Sequence, residues 1–135
     1  MDTVTPAPVS KVFLVDDATE VRVRLARLLA LIRGVEIAGA CGGVGDTLGR
    51  ILASQAHVVV LDPCFAGETN LRLIKALSRA QPSIISIVLT NHGATAFRRA
   101  CQAAGADFFF DKTAEFGLAC RAIEAITHAR RARFA

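Results

Sequence analysis

The sequence predicts an α/β protein built on an open parallel sheet. Three observations carry this. Val12–Val15, Val58–Leu61, Ile84–Leu89 and Phe108–Phe110 are apolar at almost every position, as strands covered on both faces must be. Segments with helical spacing separate them, and strand–helix alternation five times over implies parallel strands joined by right-handed crossovers. Each apolar segment also runs into groups with chemical use: Asp16-Asp17, Asp62, Thr90 and Asp111-Lys112. Sites on such sheets lie beyond the carboxyl ends of the strands.

Met1 to Ser10, with Pro6 and Pro8, reads as a flexible leader, and residues 11–133 as one domain. Lys11 to Val15 is the first strand. Thr19 is a helix cap for a segment running to about Arg33, with Val21, Leu25, Leu28, Leu29 and Ile32 at helical spacing and Gly34 as its stop. Val35 to Cys41, poorer in large apolar residues, is a second strand placed at an edge. Gly42-Gly43 turns the chain into a short helix over Asp46–Ser54, with Leu48, Ile51 and Leu52 inward. His57 to Asp62 is the third strand. Thr69 or Asn70 starts a third helix, with Leu71, Ile74 and Leu77 inward. Pro82 breaks it before the fourth strand, Ser83 to Thr90. Ala94 to Ala104 is the fourth helix, with Phe97 and Cys101 inward and Gly105 as its stop. Ala106 to Phe110 is the fifth strand, Glu115 to about Arg131 the last helix, and His128 to Ala135 a basic, frayed end.

Composition narrows the function classes. A chain of 135 residues, 53% hydrophobic and 21% charged, can bury a real core. The net charge of +4 is scattered over Arg22, Arg24 and Arg27, Arg98 and Arg99, and Arg130, Arg131 and Arg133. With Phe as the only aromatic type, a base-stacking surface is disfavoured, and so is nucleic acid as a partner. Cys41, Cys64, Cys101 and Cys120 form no CxxC pair and have no histidine at ligand spacing, which argues against zinc. They read as small apolar residues in a reducing cytoplasm. Neither a signal peptide nor an apolar stretch of membrane-spanning length is evident.

The strand-end groups form a chemical set. Asp16, Asp17 and Asp62 would repel one another if gathered without a cation. Oxygen-only ligands suit magnesium, which takes one or two carboxylates together with phosphate oxygens. Asp62 stands where a carboxylate could attack phosphorus and form an acyl phosphate. The Thr90 hydroxyl and the Lys112 ammonium would stabilise the transferring oxygens, largely by position and charge.

The ordered pattern FLVDD, VVVLD, IVLT and FFFDK resembles the receiver domain of two-component response regulators, over essentially the whole chain. The resemblance implies a flavodoxin-like, doubly wound five-stranded sheet of order 2-1-3-4-5. It implies Asp62 as phosphoacceptor, magnesium held by Asp16, Asp17, Asp62 and the Cys64 backbone carbonyl, and Thr90 and Lys112 on the phosphoryl group. Phe109 matches the aromatic switch position, whose ring turns inward when Thr90 moves; plain packing in an edge strand is its rival role. His92 falls where receivers control water access to the acyl phosphate, although an exposed loop histidine would look the same. His57 and His128 read as structural or exposed.

By the same resemblance the donor is a histidine kinase or phosphotransfer protein. The chain is not a conventional enzyme, since it would catalyse only its own aspartyl phosphorylation and dephosphorylation. With no output domain expected, its signal would leave by protein contacts on the surface of the fourth helix, fifth strand and fifth helix, which offers Arg98, Arg99, Arg121 and Glu124. The loop after Asp62 departs from the family. Ala66 and Asn70 stand where Pro and Gly are usual. Pro63 lacks an N–H and cannot donate to a phosphate, leaving Cys64 N–H as the group that could. Thr113 stands where a cis proline is common, so a trans bond is expected there. A receiver-fold scaffold or phosphate sink that does not switch is the alternative. A phosphatase of the haloacid dehalogenase type would need a second Asp where Cys64 stands.

Overall fold

The computed structural model describes residues 9–65 and 68–133, and its central element is a five-stranded parallel sheet. The strands are β1 (Ser10–Val15), β2 (Val35–Cys41), β3 (Val58–Leu61), β4 (Ile85–Thr90) and β5 (Phe108–Asp111). Their order is β2-β1-β3-β4-β5, as expected. Five helices connect or follow them: α1 (Thr19–Ala30), α2 (Thr47–Ala53), α3 (Arg72–Ala80), α4 (Thr95–Ala104) and α5 (Phe116–Arg133). A two-residue antiparallel ladder, Cys64–Phe65 with Glu68–Thr69, sits between β3 and α3.

Strand alternation divides the core into two layers. Phe13, Val15, Val59, Leu61, Val88 and Phe109 face the side covered by α2, α3 and α4, with Ile51, Ile74, Leu77 and Cys101. Val12, Leu14, Val58, Val60, Ile87 and Leu89 face the other side, with Leu25 and Leu29 of α1 and Phe116, Ala119 and Ile123 of α5. The central strands are covered on both faces, which is why they are apolar at consecutive positions. β2 is an edge, and its small residues have a use. A Cβ on Gly39 would lie 2.6 Å from the Phe13 ring, so glycine there lets the ring lie against the edge strand, beside a register shift in the β1–β2 pairing.

Several expected boundaries move. The leader expected over Met1–Ser10 lies outside the described residues up to Pro8, but Ser10 opens β1, its N–H donating to the Gly34 carbonyl. α1 ends at Ala30 rather than Arg33, followed by a turn. Ala18, not Thr19, is its N-cap, and Asp16 Oδ1 accepts from Ala18 N at 2.9 Å. Leu28 and Leu52 are each 38% exposed, so neither belongs to the buried stripes assigned to them. Thr69 joins the small ladder instead of starting α3; Asn70 Oδ1 accepts from Arg72 N there. β4 begins at Ile85 and β5 at Phe108, later than expected, while β5 runs on to Asp111. Gly105, at φ 119°, ends α4 as expected. His128–Arg133 continues α5 as helix. Among the described residues no helix is long and apolar enough to cross a membrane.

Candidate functional site

Strand register gathers the polar groups. Asp62 N donates to the Val15 carbonyl, Asp16 N to the Cys41 carbonyl and Lys112 N to the Thr90 carbonyl, so these residues stand at adjoining strand ends. Asp16 and Asp62 are buried, at 3% and 6% exposure. Lys112 bridges them, Nζ lying 2.7 Å from Asp16 Oδ2 and 2.5 Å from Asp62 Oδ2. Its pKa is held above the ordinary value. Burial, the largest single influence, pulls it down, but the hydrogen bonds and charges of Asp16 and Asp62 together outweigh it.

The other Asp62 oxygen, Oδ1, accepts from Cys64 N at 2.9 Å. Pro63 has no N–H to give, and the Cys64 N–H, expected as a donor to a phosphoryl group, here binds the Asp62 carboxylate. Thr90, 1% exposed, donates its hydroxyl to the Cys64 thiol, with Oγ1 3.7 Å from Sγ, and accepts from His92 N at 3.2 Å. The Cys64 thiol is pushed up from its ordinary pKa, first by burial and further by Asp62, against a lowering from the Thr90 hydrogen bond.

Asp16, Asp62, Lys112 and the Cys64 backbone thus converge, with Thr90 joined to them through Cys64. Asp17 does not join this cluster: it is exposed on the rim. Among the described residues no three His, Cys, Asp or Glu side chains come together closely enough to hold a metal as they stand. The expected three-carboxylate set takes the form of a buried pair, Asp16 and Asp62, bridged by the Lys112 ammonium, with Asp17 beside it on the rim. Two converging carboxylates beside a third on the rim remain a donor set that fits a hard, oxygen-liganded cation.

Phe109 is 7% exposed, with its ring turned into the core against α4. It meets the Phe97 ring edge-on at 6.1 Å, and the Arg98 guanidinium lies 5.3 Å from its centroid. The ring is already inward, so the inward turn expected for a switch residue has no outward starting point here. Its neighbours alternate around it: Phe108 is 38% exposed and Phe110 packs toward α5. His92 is exposed, its ring against Phe97 at 4.4 Å. His57 Nδ1 accepts from Lys11 N, and burial, then the Arg130 and Lys11 charges, lower its pKa. His128 is exposed. The Lys112–Thr113 bond is trans, and Asp111 Oδ1 instead caps the following turn, accepting from Thr113 N and Ala114 N. Ala66 lies outside the described residues.

Two contacts escape sequence reasoning. Arg22 Nη1 donates to the Asp16 carbonyl at 2.5 Å, pinning the acidic turn, and Nη2 donates to Thr19 Oγ1. The Cys64 side chain reaches Thr90 across 26 positions of sequence. No local pattern announces either.

The profile of the response regulator receiver domain matches residues 12–124. The chain is 32% identical over 82 residues to the DNA-binding transcriptional activator DevR/DosR of Mycobacterium tuberculosis, covering 61% of this chain and 38% of that protein. It is 32% identical over 100 residues to a protein-glutamate methylesterase/protein-glutamine glutaminase of Carboxydothermus hydrogenoformans, covering 73% and 29%. The chain thus spans well under half the length of these curated relatives. Among solved structures, a LuxR-family two-component response regulator from Aurantimonas aligns with a TM-score of 0.79 at 22% identity, over 90% of this chain and 86% of that one. The response regulator domain of Thermotoga maritima CheB aligns at 0.70 and 16%, over 93% and 95%. These structural matches show the shared fold.

Proposed function

The chain belongs to the response regulator receiver domain family, and from that premise we propose that it accepts a phosphoryl group on Asp62 from a phosphohistidine on a kinase or phosphotransfer protein. The observation that carries the reading is the Lys112 ammonium shared between two buried carboxylates at adjoining strand ends. In the transfer, an Asp62 carboxylate oxygen forms a bond to phosphorus as the donor's P–N bond breaks, and the bonding electrons return to the imidazole. Hydrolysis reverses the modification, with water attacking the acyl phosphate.

Each surrounding group has a task. Lys112 can move from the Asp62 carboxylate to a phosphoryl oxygen without leaving Asp16. Cys64 N–H orients Asp62, and Thr90 supplies a hydroxyl once it turns from Cys64. Asp16, Asp17 and Asp62, with the Cys64 carbonyl, are the residues that would hold magnesium, which when bound neutralises charge on the carboxylates and the phosphoryl oxygens. The exposed side chains of Arg98 and Arg99 on α4, and Arg121 and Glu124 on α5, mark the surface proposed for a downstream protein. The reading places the protein in the cytoplasm, where its cysteines, free in this structure, stay reduced.

A receiver-fold phosphate sink or scaffold is the second reading, and the inward Phe109 ring favours it: that ring has no further burial to gain on phosphorylation. Incubation with a phosphohistidine kinase and with a small acyl phosphate tests both. A switching receiver takes label on Asp62 and changes its α4–β5–α5 spectra. A sink takes label without that change, and a scaffold takes none.

A further inference from the structure

Building on the phosphoacceptor reading, we infer that Cys64 is a positioning residue for Thr90: its sulfur holds the Thr90 hydroxyl in a resting direction and sets how readily Thr90 turns toward a group on Asp62. A threonine hydroxyl has one proton to give. Here it is directed at Cys64 Sγ, while Oγ1 accepts from His92 N. Among the described residues, Asp62 is bound by Cys64 N at Oδ1 and by Lys112 at Oδ2, and the Cys64 thiol also reaches its carboxylate, with nothing from Thr90. At 1% exposure, Thr90 has no bulk water to take the place of a lost partner. Turning toward a phosphoryl oxygen therefore means leaving the sulfur.

Sulfur is a weak acceptor and lies 3.7 Å from Oγ1, so the hold is shallow. An alcohol or amide in its place would grip harder. The same residue also touches the acceptor aspartate, because its backbone N–H is bound to Asp62 Oδ1. A group arriving on that carboxylate that draws away the N–H shifts the backbone carrying the sulfur. Cys64 thus senses Asp62 through its main chain and its thiol, and releases Thr90 through its side chain.

The test is titration with beryllofluoride in the presence of magnesium, followed by nuclear magnetic resonance, for wild type, Cys64→Ala and Cys64→Ser. Each is also made in the Thr90→Ala background, and Asp62→Asn is the control. Cys64→Ala removes the resting partner and should tighten binding; Cys64→Ser supplies a better acceptor and should weaken it. Each change should be about two- to fivefold, the low end of what a net hydrogen bond is worth. Both should vanish when Thr90 is Ala, since the coupling then has no second member. Without beryllofluoride, the side-chain couplings of Thr90 should shift in opposite senses in the two variants. Shifts in the same direction for Ala and Ser, or shifts that persist with Thr90→Ala, mean that Cys64 only packs and overturn the inference. Either variant alone decides this should the other fail to fold. If wild type binds no beryllofluoride, or binds it as well as Asp62→Asn does, the phosphoacceptor reading falls first and takes the inference with it.

Discussion

Replacing Lys112 with Met should expose how strongly the fold forces two carboxylates together. The Lys112 side chain is 14% exposed, and its Nζ lies 2.7 and 2.5 Å from the carboxylates of Asp16 and Asp62, whose side chains are 4% and 7% exposed. At an effective dielectric of about 20, each contact is worth roughly 6 kcal/mol of attraction, most of which is offset by desolvating the three charges. Deleting the ammonium does not recover that desolvation; it leaves two buried like charges that keep their backbone N–H donors but lose their shared counter-ion. Loss of one member of such a buried group destabilises by about 3–5 kcal/mol. For a domain of this size that lowers Tm by roughly 10–20 °C. Met keeps the aliphatic length, so packing changes little. Thermal and urea unfolding at neutral pH provide the assay, with and without millimolar magnesium. The cation should restore more stability to Lys112→Met than it adds to wild type, because it replaces the missing positive charge. A loss under about 1 kcal/mol, unresponsive to magnesium, would show that Asp16 and Asp62 are not held against each other and refute the electrostatic account of the site.

Three further expectations concern the same region. The pKa of Lys112 is raised by folding, so its stabilisation is complete below the ordinary value of 10.5 and fades as pH rises through the higher folded value; alkaline melts of wild type should fall more steeply than those of Lys112→Met, and parallel curves would contradict this. Magnesium should raise the Tm of wild type, by the equivalent of about 2.7 kcal/mol at a hundred times its dissociation constant; Asp17→Asn should blunt that rise, and an unchanged response would remove Asp17 from the metal set. Phe109→Ala empties a buried aromatic position and should destabilise by about 3–5 kcal/mol in urea titrations while leaving labelling of Asp62 nearly intact; a loss of labelling in the folded variant would place Phe109 in the chemistry.

The fold was legible because its central strands are rich in Val, Ile, Leu and Phe at consecutive positions, and because Gly105 marks the stop of α4. Boundaries slipped where tertiary contacts override local preference. Ser10 is drawn into β1 by the Gly34 carbonyl, and Thr19 gives up its capping role to a fold in which Asp16 reaches back to Ala18. The buried pair and Lys112 were legible for a similar reason, since the register of a parallel sheet places successive strand ends together. Asp17 parts from Asp16 because adjacent residues at a strand end diverge: the first turned inward and the second to solvent. The direction of the Phe109 ring and the Cys64–Thr90 contact were not legible. The first depends on how α4 packs, the second on a segment tied by Cys64 N to Asp62 Oδ1 rather than by any periodic pattern.

The most direct measurement is mass spectrometric mapping of the phosphorylated residue. The protein is incubated with magnesium and a small acyl phosphate, the aspartyl phosphate is trapped by borohydride reduction, and the digest is compared with that of Asp62→Asn. A single reduced site at Asp62 is expected, dependent on magnesium and lost in Asp62→Asn. A trapped site at Asp16 or Asp17, or none in a folded wild-type protein, would contradict it.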